Sequence, residues 1–514
     1  MQKPQAISNH VIFGLIVLHL LIVLPLAYFL NIWADEASTL YTTQHGFWPA
    51  FQNAAADEKQ APLYFWIMSL WRYINGSIFF ARLFSIICIV AAIKVFADLA
   101  TRLFKPRAAL LATAFFAFHP YLFWASLEIR VYSLVILLSL ILIRLFFDAF
   151  IEESEPNARK NSRILFTVVA VIAVYTNYYL GFVLIGLFAA LLVSGKWREA
   201  RIYLGLMLLV AAAFSPLLLI KFESQLAANT SGFNEEQSIF KGVRNLWRHF
   251  LTFILPTELL PNEQFSIVGM VRLWIIRIAL VVVGLFVVVR RKSISSSTLL
   301  LGAVTATTFG GLFFAYFVVG SNYIQIRHAS VLFVPLVLFA AALLSDIFVT
   351  DGKQMRAVNK TLAIAASLIV LASFSYSIVA LYPNMAKRGD WARVGAFIQQ
   401  NEWPGQPIMV FPTYEALALP YHYHGVNRIS PDEEYFKHEE QAAFGTQYSL
   451  TKEIDFFISN IPPDADWVWL AVSERCLITE ACRPLENYVQ ANYTIEKEQE
   501  FYLEKLFLLR KKAQ

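Results

Sequence analysis

Runs of about 20 apolar residues recur along this chain, each long enough to cross the hydrocarbon core of a bilayer as a helix. They lie near residues 10–30, 78–98, 108–127, 130–150, 200–220, 270–290, 297–319, 328–348 and 360–381. The block from Ile164 to Val193 is interrupted by Tyr175-Thr176-Asn177-Tyr178-Tyr179 and reads as two short spans meeting at that polar aromatic cluster. The total is about eleven spans. Charged residues make up 15% of the 514 and hydrophobic ones 58%, whereas a soluble domain carries about 25% charge. A disordered chain, a coiled coil and an ordinary cytosolic enzyme are thereby excluded. The fold class is an α-helical polytopic membrane protein.

The net charge of +5 suits a nucleic-acid partner less well than it suits a membrane protein, because basic residues collect in cytoplasmic loops and hold the spans in orientation. With the N-terminus cytoplasmic, alternate loops carry Arg102, Lys105 and Arg107; Arg159, Lys160 and Arg163; Lys196, Arg198 and Arg201; Arg290, Arg291 and Lys292; and Lys353, Arg356 and Lys360. This alternation works only if the 164–193 block crosses twice, and an odd number of spans puts the C-terminus outside. The first span has no strongly basic leader and no small-residue cleavage site, so it reads as a retained helix. Residues 1–383 form the transmembrane domain, with a long first outer loop at 31–77 and another outer loop at 221–269. Residues 384–514 turn polar and read as a small C-terminal α/β domain on the outer side. Within it Asp390–Gln400 reads as an amphipathic helix, and Ile408–Phe411, Trp467–Val472 and Phe501–Leu509 as strands. Cys88 sits in an apolar run and reads as packing. Cys476 and Cys482 are too few and wrongly spaced for a zinc ribbon, and in an oxidising compartment they form a plausible disulfide.

Ionisable residues near membrane depth are costly and by default mark function. This orientation gathers several on the outer side: Asp35 and Glu36 after the first span, Asp57, Glu58 and Lys59 in the same loop, and Glu128 and Arg130 in the turn before the fourth span. Tyr178 and Tyr179, Arg327 and His328 join them. Each has a plainer reading. An Asp-Glu pair caps helices, Glu128 and Arg130 suit a turn-stabilising ion pair, Arg327 suits snorkelling, and tyrosines populate the membrane interface. His422 and His424 look like a metal pair, but alternation in a polar domain favours a surface position. There is no Walker-type phosphate loop.

The conjunction is more specific than its parts. An Asp35-Glu36 pair in a long first outer loop is followed by Gln60-Ala61-Pro62-Leu63-Tyr64-Phe65-Trp66, then Glu128-Ile129-Arg130-Val131-Tyr132-Ser133-Leu134, Tyr175-Thr176-Asn177-Tyr178-Tyr179, and Ile326-Arg327-His328 with Pro335. Together these resemble the GT-C glycosyltransferases of the protein O-mannosyltransferase and lipid A aminoarabinose transferase type, over nearly the whole chain. Family members commonly have His-Pro-Pro or Lys-Pro-Pro where this chain has Gln60-Ala61-Pro62, which places Lys59 one position early.

The resemblance implies an integral-membrane inverting transferase that moves a sugar from a polyprenyl-phosphate-linked donor to a lipid, glycan or protein acceptor. It implies Asp35 as the base that takes the acceptor's proton, with Glu36 orienting the acceptor or tuning Asp35. Arg327 leads the candidates for the donor phosphate, with Lys59, Arg130 and His328 behind it. Glu128, Tyr132, Tyr178 and Tyr179 would support these groups or line the substrate groove. No nucleotide cofactor is expected; a divalent metal is compatible with the chemistry but not indicated, and no nucleic acid is expected as a partner. The implied setting is a bacterial inner membrane, with the active site and C-terminal domain periplasmic. A transporter or lipid flippase stays open as an alternative, although the charges cluster at one interface rather than in paired broken helices. So does a polysaccharide polymerase or ligase, although its catalytic loop is expected late in the chain.

Overall fold

The structure, a computed structural model, describes residues 7–56, 61–153, 155–229, 239–254, 267–289, 294–318, 326–348, 353–430, 450–473, 476 and 482–513. The chain divides into two compact units. One comprises the first helix up to Ala27 and the helices between His45 and Leu381; the other takes in Tyr28–Gln44 and Tyr382–Gln514.

In the helical unit the apolar runs are helices. They are α1 (Asn9–Phe29), α5 (Ile78–Leu103), α6 (Pro106–Ala117), α7 (Pro120–Leu127), α8 (Tyr132–Phe146), α9 (Pro156–Thr176), α10 (Leu180–Val193), α11 (Trp197–Asn229), α13 (Ile267–Val289), α14 (Ser296–Val318), α15 (Ser330–Phe348) and α16 (Lys353–Ala380). Between them stand the shorter α2 (Ala34–Thr42), α3 (Phe47–Ala56), α4 (Leu63–Ile74) and α12 (Ile239–Ile254). Among the described residues six helices are long and apolar enough to cross a membrane alone, or seven if the α6–α7 pair, bent by 44°, is one span. This is a multi-pass membrane protein. The bend falls where Pro120 has no N–H to offer and the His119 ring accepts from the Tyr121 N–H at 3.1 Å. The block from Ile164 to Val193 breaks at Asn177, whose Oδ1 accepts from the Tyr179 N–H at 2.9 Å. A side chain that satisfies backbone donors in this way competes with the helix and ends it.

Small residues allow the helices to approach closely, as expected where lipid gives little drive for association. A Cβ on Gly186 of α10 would lie 2.9 Å from the Val304 carbonyl of α14, and one on Gly311 of α14 would lie 2.4 Å from the Phe182 ring. At one end of α5 and α8, Arg144 binds Asp98 at 2.9 Å and Arg102 pairs with Asp148. The other end of α8, at Tyr132, lies about 18 Å away along the helix axis. Arg102 belongs to the first of the basic loops on which the predicted orientation rests.

The second unit is built on a five-stranded mixed sheet of order β2-β1-β3-β5-β4. Its strands are β1 (Ile408–Phe411), β2 (Ile429–Ser430), β3 (Trp467–Ser473), β4 (Tyr493–Phe501) and β5 (Glu504–Lys511). β1 runs parallel to β2 and β3; β5 runs antiparallel to β3 and β4. Alternation sorts β3 as a two-sided strand. Val468, Leu470 and Val472 enter a core with Ile454 and Phe457 of α18 (Leu450–Ser459) and Leu485 and Val489 of α19 (Arg483–Asn492). Trp469 points the other way and meets Phe397 of α17 (Trp391–Asn401) at 6.3 Å between ring centroids. Cys476 and Cys482 are joined in a disulfide, both residues buried in the first of these cores.

Two sequence expectations are corrected. The strand expected at Phe501–Leu509 straddles a turn: Phe501 ends β4, Leu503 turns with φ 61°, and β5 begins at Glu504. β4 lacks the alternation that would announce it, because Glu496 to Glu500 are charged or amide residues on an exposed edge, a composition that protects sheet edges from further pairing. The first outer loop is also not one piece, since Tyr28–Gln44 belongs to the unit of the C-terminal residues. In the outer loop expected at 221–269, α11 continues to Asn229 and α12 presents Arg244, Trp247 and Arg248 outward while burying Leu246, His249, Leu251 and Phe253.

Candidate active site

The acidic pair opens α2. Asp35 and Glu36 occupy its first turn, where the helix macrodipole favours negative charge. The two carboxylates meet different surroundings. Asp35 is half-buried, whereas Glu36 is fully buried and its Oε1 lies 2.8 Å from Lys387 Nζ, itself only 2% exposed. The same few residues are tied together again through the backbone. Asn31 Oδ1 accepts from the Lys387 N–H at 2.8 Å, and Asn31 Nδ2 donates to the carbonyls of Gly389 at 2.8 Å and Lys387 at 3.2 Å. The Ile32 N–H donates to His422 Nε2 at 3.2 Å, and the Arg388 guanidinium lies 4.1 Å from the Trp33 ring centroid. Asp390 caps α17, its carboxylate accepting from the Arg393 N–H and, at 2.8 Å, from Arg393 Nη1. Burial pushes the Asp390 carboxyl above its ordinary value against the pull of Arg393.

The Glu36 carboxylate is thus engaged in a buried ion pair with Lys387. His422 is not the surface residue expected of it, because it is half-buried and holds the Ile32 amide, while His424 is exposed. Lys387 and Arg388 are the residues that motif reading missed. Their signal is topological: a Lys-Arg pair directly after the last apolar run, on the side assigned as outer, runs against the positive-inside rule.

The helical unit holds the remaining candidates. Glu128 and Arg130 lie in one buried turn between α7 and α8, and the Glu128 carbonyl accepts from Ser85 Oγ of α5 at 2.6 Å. Tyr132, also buried, stacks on Trp124 with ring centroids 5.0 Å apart. Tyr179 faces His328 at 6.5 Å between centroids, which brings the α9–α10 break against the turn that leads into α15. Arg327 lies half-buried in that same turn. Tyr178 packs instead on Phe214 of α11 at 5.9 Å. Lys59, with Asp57 and Glu58, lies outside the described residues. Arg82 of α5 is a further buried cation, donating through Nη1 to the Ala27 carbonyl at 3.0 Å. An arginine inside the 78–98 run was its sequence signal. Among the described residues no group of three His, Cys, Asp or Glu is placed to hold a metal ion.

Residues 59–220 match the family model described as dolichyl-phosphate-mannose-protein mannosyltransferase. Over nearly its whole length the chain is similar to the crystal structure of ArnT from Cupriavidus metallidurans in the apo state, at 12% identity and a TM-score of 0.56, covering 97% of each chain. The same protein bound to undecaprenyl phosphate matches at 13% identity and a TM-score of 0.55, covering 98% of each chain. The Archaeoglobus fulgidus oligosaccharyltransferase in complex with Zn and sulfate matches at 13% identity and a TM-score of 0.46, over 94% of this chain and 71% of that one. A comparison with curated proteins gives no match. The family match over residues 59–220 indicates a glycosyltransferase, and the likeness to ArnT shows that the same fold runs over nearly the whole chain. The family match takes in Glu128, Arg130, Tyr132, Tyr178 and Tyr179, whereas the acidic pair and Arg327 lie beyond its limits.

Proposed function

We propose that this chain is an inverting glycosyltransferase that moves a sugar from a polyprenyl-phosphate carrier to a hydroxyl acceptor at the outer face of the membrane. The observation that carries the reading is the unequal environment of the two acids on a fold like that of ArnT, a protein crystallised with undecaprenyl phosphate. One carboxylate is locked in an ion pair and the other is left half-buried. Asp35 is the base that takes the acceptor's proton as oxygen attacks the anomeric carbon, help worth about 10²–10⁴-fold. The leaving group is a lipid phosphate, which needs its growing negative charge met by fixed cations. Arg327 supplies the bidentate fork suited to phosphate, with Lys59, Arg130 and His328 as further cations. Glu128 holds Arg130 in place and Tyr132 supports the turn between α7 and α8, while Tyr178 and Tyr179 line the sugar or prenyl groove. Attack from the side opposite the phosphate inverts the anomeric centre. The donor brings its own activated bond, so no nucleotide cofactor enters. The membrane is a bacterial inner membrane, and the active site and C-terminal unit are periplasmic.

The test is turnover of the purified, detergent-solubilised protein on a panel of short-chain polyprenyl-phosphate sugars, with lysate as acceptor source and released polyprenyl phosphate as readout. Release by wild type that is lost in a folded Asp35→Asn variant supports both donor class and base. Release by both moves the base elsewhere. No release from any donor refutes the transferase reading and puts the transport alternative ahead.

A further inference from the structure

Lys387 belongs to none of the motifs that carry the family resemblance, yet it is among the most deeply buried charges of its unit. An ammonium taken out of water must be paired to persist, and this one is paired with Glu36 among the ion pairs of the described residues. The connector that carries it is shaped for that purpose. Asn384 (φ 56°), Met385 (φ 56°) and Arg388 (φ 49°) all take left-handed backbone conformations, followed by Gly389 at φ 118°. Non-glycine residues held in that region persist only where their surroundings over-determine them, and they gather at functional positions. Asn31 binds the Lys387 backbone on both its N–H and carbonyl sides, so the connector is fixed to the segment leading into α2 on either side of the ion pair.

Neighbouring residues on a helix project about 100° apart. Pinning Glu36 inward therefore sets the rotation of α2 about its axis and with it the direction of Asp35. We infer that Lys387 is a positioning residue: through its buried pair with Glu36 it aims Asp35 at the acceptor hydroxyl. This rests on the reading of Asp35 as the base, and it moves Glu36 from the acceptor to the scaffold. Without Lys387, the buried Glu36 carboxylate would lose this cationic partner beside Asp35. It would then take up a proton or swing out, and either change would disturb its neighbour.

The experiment uses full-length wild type, Lys387→Met, Lys387→Arg and the double variant Glu36→Gln/Lys387→Met. The donor panel and lysate acceptor are those above, read beside undecaprenyl phosphate binding by tryptophan fluorescence and a thermal midpoint. Lys387→Met should lose at least about 100-fold in kcat, the scale of a misplaced catalytic group. Donor KM and undecaprenyl phosphate affinity should stay within about threefold, since neither depends on the base. Lys387→Arg, which keeps the charge, should recover to within about tenfold of wild type. The double variant decides between positioning and mere stability, because it removes both members of the buried pair together. It should regain the wild-type thermal midpoint and still turn over at least about tenfold more slowly, as its helix has lost the clamp. A folded double variant with wild-type kcat overturns the inference, as does wild-type kcat in Lys387→Met. If Lys387→Met does not fold, the kcat of the double variant decides alone. Wild type that releases no polyprenyl phosphate from any donor takes down the transferase reading and this inference with it; wild-type release undiminished in the variants takes down this inference alone.

Discussion

Asn31 donates through Nδ2 to the Gly389 carbonyl at 2.8 Å, closing a contact between the residue just after the first apolar run and the connector after the last one. Gly389 is at φ 118°, and a Cβ there would fall 2.5 Å from Glu504 Oε1. Only glycine can therefore present its carbonyl to Asn31 in this place.

Asn31→Ala removes a fully used buried amide and strands the Lys387 N–H and the Gly389 carbonyl. Leaving buried groups unmatched costs about 1–3 kcal/mol for each, so the net loss should be about 2–3 kcal/mol after partial rehydration. In full-length protein in detergent the thermal midpoint of the C-terminal unit should fall by about 5 °C or more, with the helical unit's resistance to proteolysis unchanged. An unaltered midpoint would show that these hydrogen bonds are replaceable by water.

The disulfide between Cys476 and Cys482 closes a short loop, with a sequence separation of 6. The chain-entropy argument gives about 2 kcal/mol for a loop of that size. Cys476→Ser/Cys482→Ser should lower the stability of the C-terminal unit by that order while leaving turnover within about twofold. Maleimide labelling under denaturing conditions should modify both cysteines only after reduction. Labelling without reductant, in protein taken directly from cells, would argue against the oxidising compartment assigned to this unit.

Helices and their breaks were legible because they follow from one repeated constraint: backbone groups in lipid must be paired within the helix. The split of the 164–193 block could be read from its polar aromatic interruption together with charge alternation, and Asn177 supplies the physical stop. Local strand signals found β1 and β3, whose residues are buried, but not β4, whose solvated edge carries no hydrophobic pattern. Motifs found Asp35 and Glu36 as a pair, yet nothing in two adjacent letters tells which acid is buried. That difference arises from Lys387, Asn31 and His422, contacts that are remote in sequence and therefore invisible to spacing arguments. Lys387 could have been suspected only from its charge on the side assigned as outer.

Gly311 is the tightest of the helix contacts. A Cβ there would lie 2.4 Å from ring atoms of Phe182 and 2.9 Å from its Cβ, so the collision involves the stem of the side chain and cannot be relieved by a small rotamer shift. Gly311→Ala should sharply reduce the yield of monodisperse protein, on the scale of about 1–3 kcal/mol expected for overpacking. Adding Phe182→Ala should restore much of that yield. If the single variant behaves like wild type, α10 and α14 are less closely packed than this structure has them.

Arg327 offers the sharpest test of how the leaving phosphate is stabilised. It lies half-buried in the turn before α15, beside His328, whose ring meets Tyr179. A guanidinium that meets charge developing on the leaving oxygen should matter more in the transition state than in the ground state. Arg327→Ala should therefore cut kcat/KM by about 10²–10³-fold, the scale of one preorganised charge-stabilising donor, with most of the loss in kcat. Arg327→Lys should recover only part, because an ammonium cannot reproduce the bidentate fork. If fixed side-chain cations carry this charge, prior treatment with EDTA should leave wild-type turnover within about twofold, and added Mg²⁺ or Mn²⁺ should not rescue Arg327→Ala. Rescue by a divalent ion, or loss of wild-type activity on chelation, would instead assign the phosphate's charge to a metal.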